Sequence, residues 1–87
     1  MASYKVLIKR SAAKELEALP VKDRRRVASR IQQLGSDPRP PGCEKLSGQD
    51  RYRIRQDDYR IIYSIEDAVL TIVVVKVGHR RDIYRKR

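Results

Sequence analysis

The strongest constraint on the fold is a run of three strand-like segments in the second half of the chain, with only short turns between them. Residue character alternates over Arg51–Gln56, β-branched and aromatic residues fill Tyr59–Ile65, and Val69–Val77 is almost continuously apolar. Alternation with a period of two and β-branched composition are typical of strands. Because the intervening turns are too short for a crossover, the sequence predicts an antiparallel meander, with Val69–Val77 buried on both faces.

The first half of the chain is predicted to hold one strand and two helices. Apolar residues alternate with lysines in the strand, at Tyr4, Val6 and Ile8. Helical spacing then recurs twice, at Ala12, Leu16 and Leu19 and again at Val27, Ile31 and Leu34. Ser11 is a suitable N-cap for the first helix, Pro20 separates the two helices, and Gly35 suits the C-terminal cap of the second. The stretch Ser36–Gly48 is rich in Pro, Gly and polar residues and is predicted to be a loop.

These elements predict an α+β fold in one domain, residues 1–87. The N-terminal strand is followed by an antiparallel hairpin of two helices, and the meander then completes a four-stranded sheet. A short basic segment, 80–87, ends the chain. Each helix carries one apolar stripe, so the hairpin is expected to pack on one face of the sheet.

Charge is the main guide to the partner. The 87 residues include 21 Lys and Arg against 11 Asp and Glu, which gives a formal net charge of +10. Such an excess on a small body attracts polyanions, so nucleic acid is the first expected partner. A membrane surface is not expected, because no helix pairs a wide apolar face with a basic one. The single Cys43 and single His79 predict neither a disulfide nor a metal cluster, and a cytoplasmic protein fits best.

Three arginines are predicted to share one face of the sheet. Alternation places Arg53 and Arg55 on the same side of their strand. A two-residue loop at Asp57–Asp58 then brings Arg60 to that side. The expected partners across the hairpin are Gln56 with Tyr59, Arg55 with Arg60, Ile54 with Ile61, and Tyr52 with Tyr63. Like charges opposed across a sheet are destabilising, whereas guanidinium forks match phosphate oxygens. The pattern favours an anion site over the alternative, a solvated face neutralised by Asp57, Asp58 or Glu66.

The end of the last strand adds further donors. Gly78 is followed by a run of polar and basic residues in which Arg80 and Tyr84 could join the arginines, Tyr84 by stacking on a base. His79 is the one residue of a type that exchanges protons near neutrality. Further contacts to the RNA backbone are expected from Lys45, Arg51 and Arg81.

Four short motifs in this order resemble the RelE toxins of the RelE/ParE superfamily. They are Lys45-Leu46-Ser47-Gly48, Tyr52-Arg53-Ile54-Arg55, Tyr59-Arg60-Ile61-Ile62-Tyr63 and Val77-Gly78-His79-Arg80-Arg81-Asp82-Ile83-Tyr84. The resemblance implies the toxin of a type II toxin–antitoxin system that cuts messenger RNA in the ribosomal A site. The ribose 2′-hydroxyl attacks the adjacent phosphate, leaving a 2′,3′-cyclic phosphate and a 5′-hydroxyl, without metal or cofactor. The implied partners are the ribosome, mRNA and an acidic, RelB-like antitoxin that forms a hetero-oligomer with the toxin.

The catalytic residues that the resemblance implies depart from those of the family's best-known members. The matching strand positions carry two lysines there and Arg53 and Arg55 here. Arginine effectively never loses its proton, so these residues are expected to hold phosphate and stabilise its charge rather than act as a base. The remaining positions carried over are Arg60, Arg80 and Tyr84, with His79 as a candidate for proton transfer. A positive field that promotes 2′-hydroxyl ionisation is the alternative to a dedicated base.

Two other functions are consistent with the same sequence. A ParE-like inhibitor of DNA gyrase would share the fold, and a non-catalytic RNA-binding or ribosome-binding module would share the charge. The basic strand pair and the C-terminal donors favour the nuclease. The common RNA-binding signatures do not appear in the sequence, which disfavours the passive module.

Overall fold

Two helices packed against a mixed sheet form the protein in a computed structural model, which describes residues 3–48 and 50–79. The helices are α1 (Arg10–Glu17) and α2 (Val21–Gln33), and a 3₁₀ turn spans Asp67–Val69. The strands are β1 (Lys5–Ile8), β2 (Glu44–Lys45), β3 (Tyr52–Gln56), β4 (Tyr59–Glu66) and β5 (Thr71–His79). The predicted α+β class is confirmed.

The sheet has five strands in the order β1-β5-β4-β3-β2. The predicted meander is present, because β3, β4 and β5 pair antiparallel in sequence order. β1 pairs with β5 in parallel, because both helices lie in the connection that follows β1. The predicted count of four strands is wrong. Within the presumed loop Ser36–Gly48, β2 pairs antiparallel with β3 through two residues, a signal too short to register as a strand in sequence.

The hairpin between β3 and β4 has the predicted register. Its four expected pairs, including Arg55 opposite Arg60, are all present. Asp57 has a φ of 56°, the left-handed region that Asp and Asn tolerate better than most residues. The two-residue loop that sequence reasoning required is therefore compatible with the residue type at its first position.

The core lies between the helices and one side of the sheet, here called the helix side. The stripe of α2 is buried as predicted, at Val27, Ile31 and Leu34, and Ala12 is the buried residue of α1. The sheet contributes Ile54, Ile61, Tyr63, Ile72, Val74 and Val77. Tyr63 is completely buried, and its hydroxyl donates to the Pro38 carbonyl at 2.7 Å. Burial raises the pKa of Tyr63 far above its ordinary value, so the hydroxyl keeps its proton and this hydrogen bond.

The last strand differs from the sequence prediction in two ways. It begins at Thr71 rather than Val69, because the 3₁₀ turn is followed by Leu70 with a φ of 47°. It is also fully buried only on the helix side, while Val73 on the opposite side is partly exposed. The helices cover one side only, so the apolar run does not correspond to burial on both faces. A register shift at Ile62/Tyr63 interrupts its pairing with β4.

The predicted helix caps are only partly confirmed. α1 begins at Arg10, with Lys9 at the N-cap and no side-chain cap, so Ser11 lies inside the first turn. Pro20 directly precedes α2 at its N-cap. Gly35 follows α2, but its role is close packing: a Cβ there would lie 3.0 Å from the Tyr4 carbonyl oxygen. The Tyr4 N–H also donates to the Gly35 carbonyl at 2.7 Å, which fixes the entry to β1 against the end of α2.

The segment that leads into β2 is held against the sheet by Arg39. The guanidinium donates to Asp67, with an Nη2–Oδ2 distance of 2.9 Å, and lies 5.3 Å from the centroid of the Tyr52 ring. Tyr4 also donates to Asp67, at 2.6 Å. These contacts connect the loop to the 3₁₀ turn and to β3, and so they set the position at which β2 joins the sheet.

Candidate nucleic-acid interface

The side of the sheet opposite the helices carries a cluster of three arginines, here called the arginine face: Arg53, Arg55 and Arg60. Strand alternation places all three away from the buried Ile54 and Ile61. Arg55 is exposed and directly opposite Arg60, whose Nη1 atom is inaccessible to solvent. The Arg53 side chain is 26% exposed to solvent. The structure therefore brings together the three strand arginines singled out in sequence.

Among the residues that the structure describes, the carboxylate of Glu44 lies in this cluster. It forms an ion pair and a hydrogen bond with Nη2 of Arg53. The hydrogen bond and charge of Arg53 lower the pKa of Glu44, and the charges of Arg55 and Arg60 lower it further. All three guanidiniums thus act on the Glu44 carboxylate, and over the described residues their three positive charges exceed its one negative charge.

Sequence reasoning missed Glu44 because it assigned the residue to a loop. The predicted neutralising carboxylates were Asp57, Asp58 and Glu66, but Asp57 instead lies 3.5 Å from Arg26 of α2. The signal that was available is charge complementarity: once Glu44–Lys45 is taken as a strand beside β3, Glu44 lies opposite Arg53. Two residues are too few for alternation to reveal such a strand.

The electrostatics of the arginine face favour an anionic ligand. Two unit charges about 5 Å apart repel by roughly 3 kcal/mol at an effective dielectric of about 20, and by less where solvent screens them. Arg55 and Arg60 are opposed in this way, and the charge of the Glu44 carboxylate offsets only part of the charge of the three guanidiniums. Guanidinium groups form paired hydrogen bonds with phosphate oxygens. The arrangement is therefore suited to holding a phosphodiester.

Two of the three basic residues expected to contact the RNA backbone lie at the end of the sheet nearest the start of β3. Lys45 is exposed on β2 and pairs with Tyr52, so alternation turns it away from the side that Glu44 occupies. Arg51 is exposed just before β3, and its carbonyl accepts the Leu46 N–H at 2.8 Å. Both line one surface groove together with Arg39, beside the arginine face rather than on it.

His79 lies on the helix side, away from the arginines. It pairs with Tyr59 across β4 and β5, and the two rings meet edge to face with centroids 5.8 Å apart. The Tyr59 hydroxyl donates to Asp23 of α2 at 2.9 Å, and this bond raises the pKa of Tyr59. The sequence expectation that His79 joins the arginine cluster does not agree with this placement, because residues one apart on a strand face opposite sides.

A further basic residue, Lys76, forms an ion pair with a residue of α1. Its Nζ lies 2.8 Å from Oε2 of Glu15, and Oε1 of the same carboxylate accepts the Val77 N–H at 2.9 Å. Glu15 thus accepts a backbone N–H of β5 beyond Val74, the last residue of β5 that pairs with β1. The charge of Lys76 contributes to the positive potential of the sheet, but the side chain is directed to the helix.

The other predicted residues, Arg80, Arg81 and Tyr84, lie outside the described residues. Within the described part of the chain, no group of three or more His, Cys, Asp or Glu residues is arranged to hold a metal ion. No helix among the same residues has the length and apolar character needed to cross a membrane.

Comparisons with known proteins identify the family. A family model described as ParE toxin of type II toxin–antitoxin system, parDE, matches residues 6–84. A stretch of 35 residues, 40% of this chain and 40% of the relative, is 43% identical to toxin RelG of Mycobacterium tuberculosis.

Solved toxin–antitoxin complexes share the whole fold. A chain of the RelBE2 complex from Mycobacterium tuberculosis superposes with a TM-score of 0.83 at 26% identity, covering 92% of this chain and 94% of that one. A chain of the archaeal RelE–RelB complex from Pyrococcus horikoshii gives 0.81 at 33% identity, covering 90% and 96%. The family match over residues 6–84, supported by these superpositions, establishes that the chain belongs to the ParE toxin family of type II toxin–antitoxin systems, within the RelE/ParE superfamily.

Proposed function

We propose that this toxin inhibits translation as a metal-independent endonuclease that cuts mRNA in the ribosomal A site. The observation that carries the proposal is the arginine face, where three guanidiniums from one hairpin act on the same carboxylate. A cluster of this kind costs stability unless an anion occupies it, and the phosphodiester of RNA is the anion that the resemblance to RelE toxins suggests.

In the proposed reaction, the ribose 2′-oxygen forms a bond to the adjacent phosphorus and the bond from phosphorus to the 5′-oxygen breaks. Arg53, Arg55 and Arg60 hold the non-bridging oxygens and stabilise the charge that grows on them. Removing one such donor typically lowers the rate by roughly 10²–10³. Arg80 is proposed to stabilise the negative charge on the leaving 5′-oxygen, which takes its proton from water, while the proton of the 2′-hydroxyl passes to water. Tyr84 is proposed to stack on or orient the substrate.

Proton removal from the 2′-hydroxyl is proposed to rely on the positive field of the arginine face. Arginine does not accept a proton at physiological pH, and His79 lies on the opposite side of the sheet. A field from three guanidiniums stabilises the alkoxide and so promotes ionisation of the hydroxyl, by the same electrostatics that lowers the pKa of Glu44.

Primer extension on mRNA in a translating extract tests the proposal. The wild-type toxin is expected to produce cuts in phase with codons, and Arg53→Gln and Arg55→Gln to lose roughly 10²–10³ in rate. Arg25→Gln removes the same charge from an exposed position on α2 and is expected to cut normally. Intact mRNA with the wild-type toxin would contradict the nuclease function.

Inhibition of DNA gyrase is the second candidate, because the family model that matches is described as a ParE toxin. The same extract, supplied with supercoiled DNA and gyrase, distinguishes the two. Gyrase-linked DNA breaks with intact mRNA would support the second candidate, while intact DNA with cut mRNA supports the first.

The proposed partners follow from charge and from the related complexes. RelE–RelB and RelBE2 structures contain an antitoxin beside a chain of this fold, so we propose a RelB-like antitoxin for this toxin. With a net charge of +10, an acidic antitoxin segment is the expected complement. The ribosome and mRNA, both in the cytoplasm, are the proposed targets.

A further inference from the structure

The two residues of the ion pair between Glu44 and Arg53 differ in how strongly the sheet constrains them: Glu44 is weakly constrained and Arg53 strongly. The Glu44 side chain is 63% exposed and the Arg53 side chain 26%. Glu44 belongs to β2, which pairs with β3 through two residues only. Arg53, by contrast, lies inside β3 between neighbours on both sides, Glu44 and Ile62. The carboxylate can therefore swing off the guanidinium without disturbing the central sheet.

The same guanidinium nitrogen is the one that a phosphate would use. Carboxylate and phosphate oxygens are both recognised by the planar fork of arginine. While Glu44 is bonded to Nη2 of Arg53, a phosphate that takes the same N–H group must displace the carboxylate. The negative charge of Glu44 also repels any anion that approaches Arg55 or Arg60, since both act on it through their charges.

We propose that Glu44 is an internal competitor for phosphate: its carboxylate occupies Arg53 until a phosphate displaces it, and it weakens the binding of a single phosphate and of an RNA backbone by the same factor. The inference rests on the proposed function for the identity of the polymer. Displacing the carboxylate is a fixed cost for each binding event, so it removes a larger share of the binding free energy from a single phosphate than from a chain. A chain makes further phosphate contacts, for which Lys45 and Arg51 in the adjacent groove are placed.

Phosphate titration of the isolated protein, followed by NMR, tests this inference without the ribosome. Glu44→Gln is expected to bind inorganic phosphate about fivefold more tightly than the wild type, which is equivalent to about 1 kcal/mol at 1.4 kcal/mol per factor of ten. This is the upper end of what an exposed ion pair contributes. The same factor is expected for a ten-nucleotide RNA with 2′-O-methyl groups, which cannot be cut, because the carboxylate is displaced once in either case.

Glu17→Gln is the matched control. Glu17 is exposed at the end of α1, on the helix side of the sheet and away from Arg53. It removes the same charge and is expected to change phosphate affinity by less than about twofold. In an Arg53→Gln background, Glu44→Gln is expected to have no effect, because the competition acts through that guanidinium.

Three results would overturn the inference. Equal gains in Glu44→Gln and Glu17→Gln would mean that net charge alone is responsible. A gain that persists in the Arg53→Gln background would mean that the carboxylate acts elsewhere. Weaker phosphate binding in both Glu44→Gln and Glu44→Ala, with thermal unfolding unchanged, would mean that Glu44 positions Arg53 for the ligand. Because these titrations contain no ribosome, their outcome does not depend on whether the toxin cuts mRNA. A failure of the competition test would likewise leave the proposed cleavage of mRNA open to its own test.

Discussion

Replacing Arg55 by Gln should make the protein more stable while it removes activity. Arg55 is exposed and lies directly opposite Arg60, a spacing of about 5 Å between paired positions. At that distance the repulsion is roughly 0.8 kcal/mol at the dielectric of water and about 3 kcal/mol at an effective dielectric of 20. Because Arg55 is exposed and also attracts Glu44, we expect the lower figure, about 0.5–1 kcal/mol. That corresponds to a rise of roughly 2–8 °C in Tm for a chain of this size.

The assay is thermal unfolding by circular dichroism at two salt concentrations, alongside primer extension on translated mRNA. At about 0.01 M salt the Debye length is about 30 Å and the gain should be complete, while at about 1 M salt it falls to about 3 Å and the gain should vanish. Arg25→Gln, at an exposed position on α2, should show neither the gain nor the loss of cutting. If Arg55→Gln lowers Tm, or raises it equally at both salt concentrations, then electrostatic repulsion between Arg55 and Arg60 does not destabilise the fold.

Two further predictions concern the support of the sheet. Gly35→Ala should destabilise the protein by about 1–3 kcal/mol in urea unfolding, because the added Cβ lies 3.0 Å from the Tyr4 carbonyl oxygen and 3.3 Å from Cγ2 of Val6; the neighbouring exposed Ser36→Ala should not, and equal stability in both would refute the packing role. The hydrogen bonds that Asp67 accepts from Arg39 and then from Tyr4 lower the pKa of Asp67 below its ordinary 3.8. The stabilisation that ionised Asp67 provides is therefore fully present above pH 3.8 and is lost as the pH falls through the lowered pKa. The Tm difference between wild type and Asp67→Asn should therefore shrink as pH falls from about 5 to about 2, whereas Asp37→Asn, an exposed carboxylate in the neighbouring loop, should show no such trend; a difference that stays constant with pH would argue against the Arg39 contact.

The parts of the fold that follow from local periodicity were predictable from sequence. The meander, the stripe of α2 and the register of the hairpin were all obtained because alternation and loop length leave one consistent pairing. The arginine face followed from the same register, since Arg53, Arg55 and Arg60 are fixed relative to one another by the two-residue loop.

The parts that depend on distant contacts were not predictable. β2 is two residues long and exists because Arg39 and Tyr52 hold the preceding loop against the sheet. Without β2 there was no way to place Glu44 beside Arg53. The position of His79 required the exact pairing of β5 with β4, including the irregularity at Ile62/Tyr63, and a sequence pattern does not reveal such a shift.

The hairpin of β3 and β4 has a consequence for how such a toxin can diversify. All three strand guanidiniums come from a contiguous stretch of eight residues, Arg53 to Arg60, whose geometry depends on a turn of its own. The helices and the outer strands serve as a scaffold that supports this hairpin. A change in the set of strand guanidiniums therefore requires changing one short hairpin, with the buried Ile54 and Ile61 kept as the anchor.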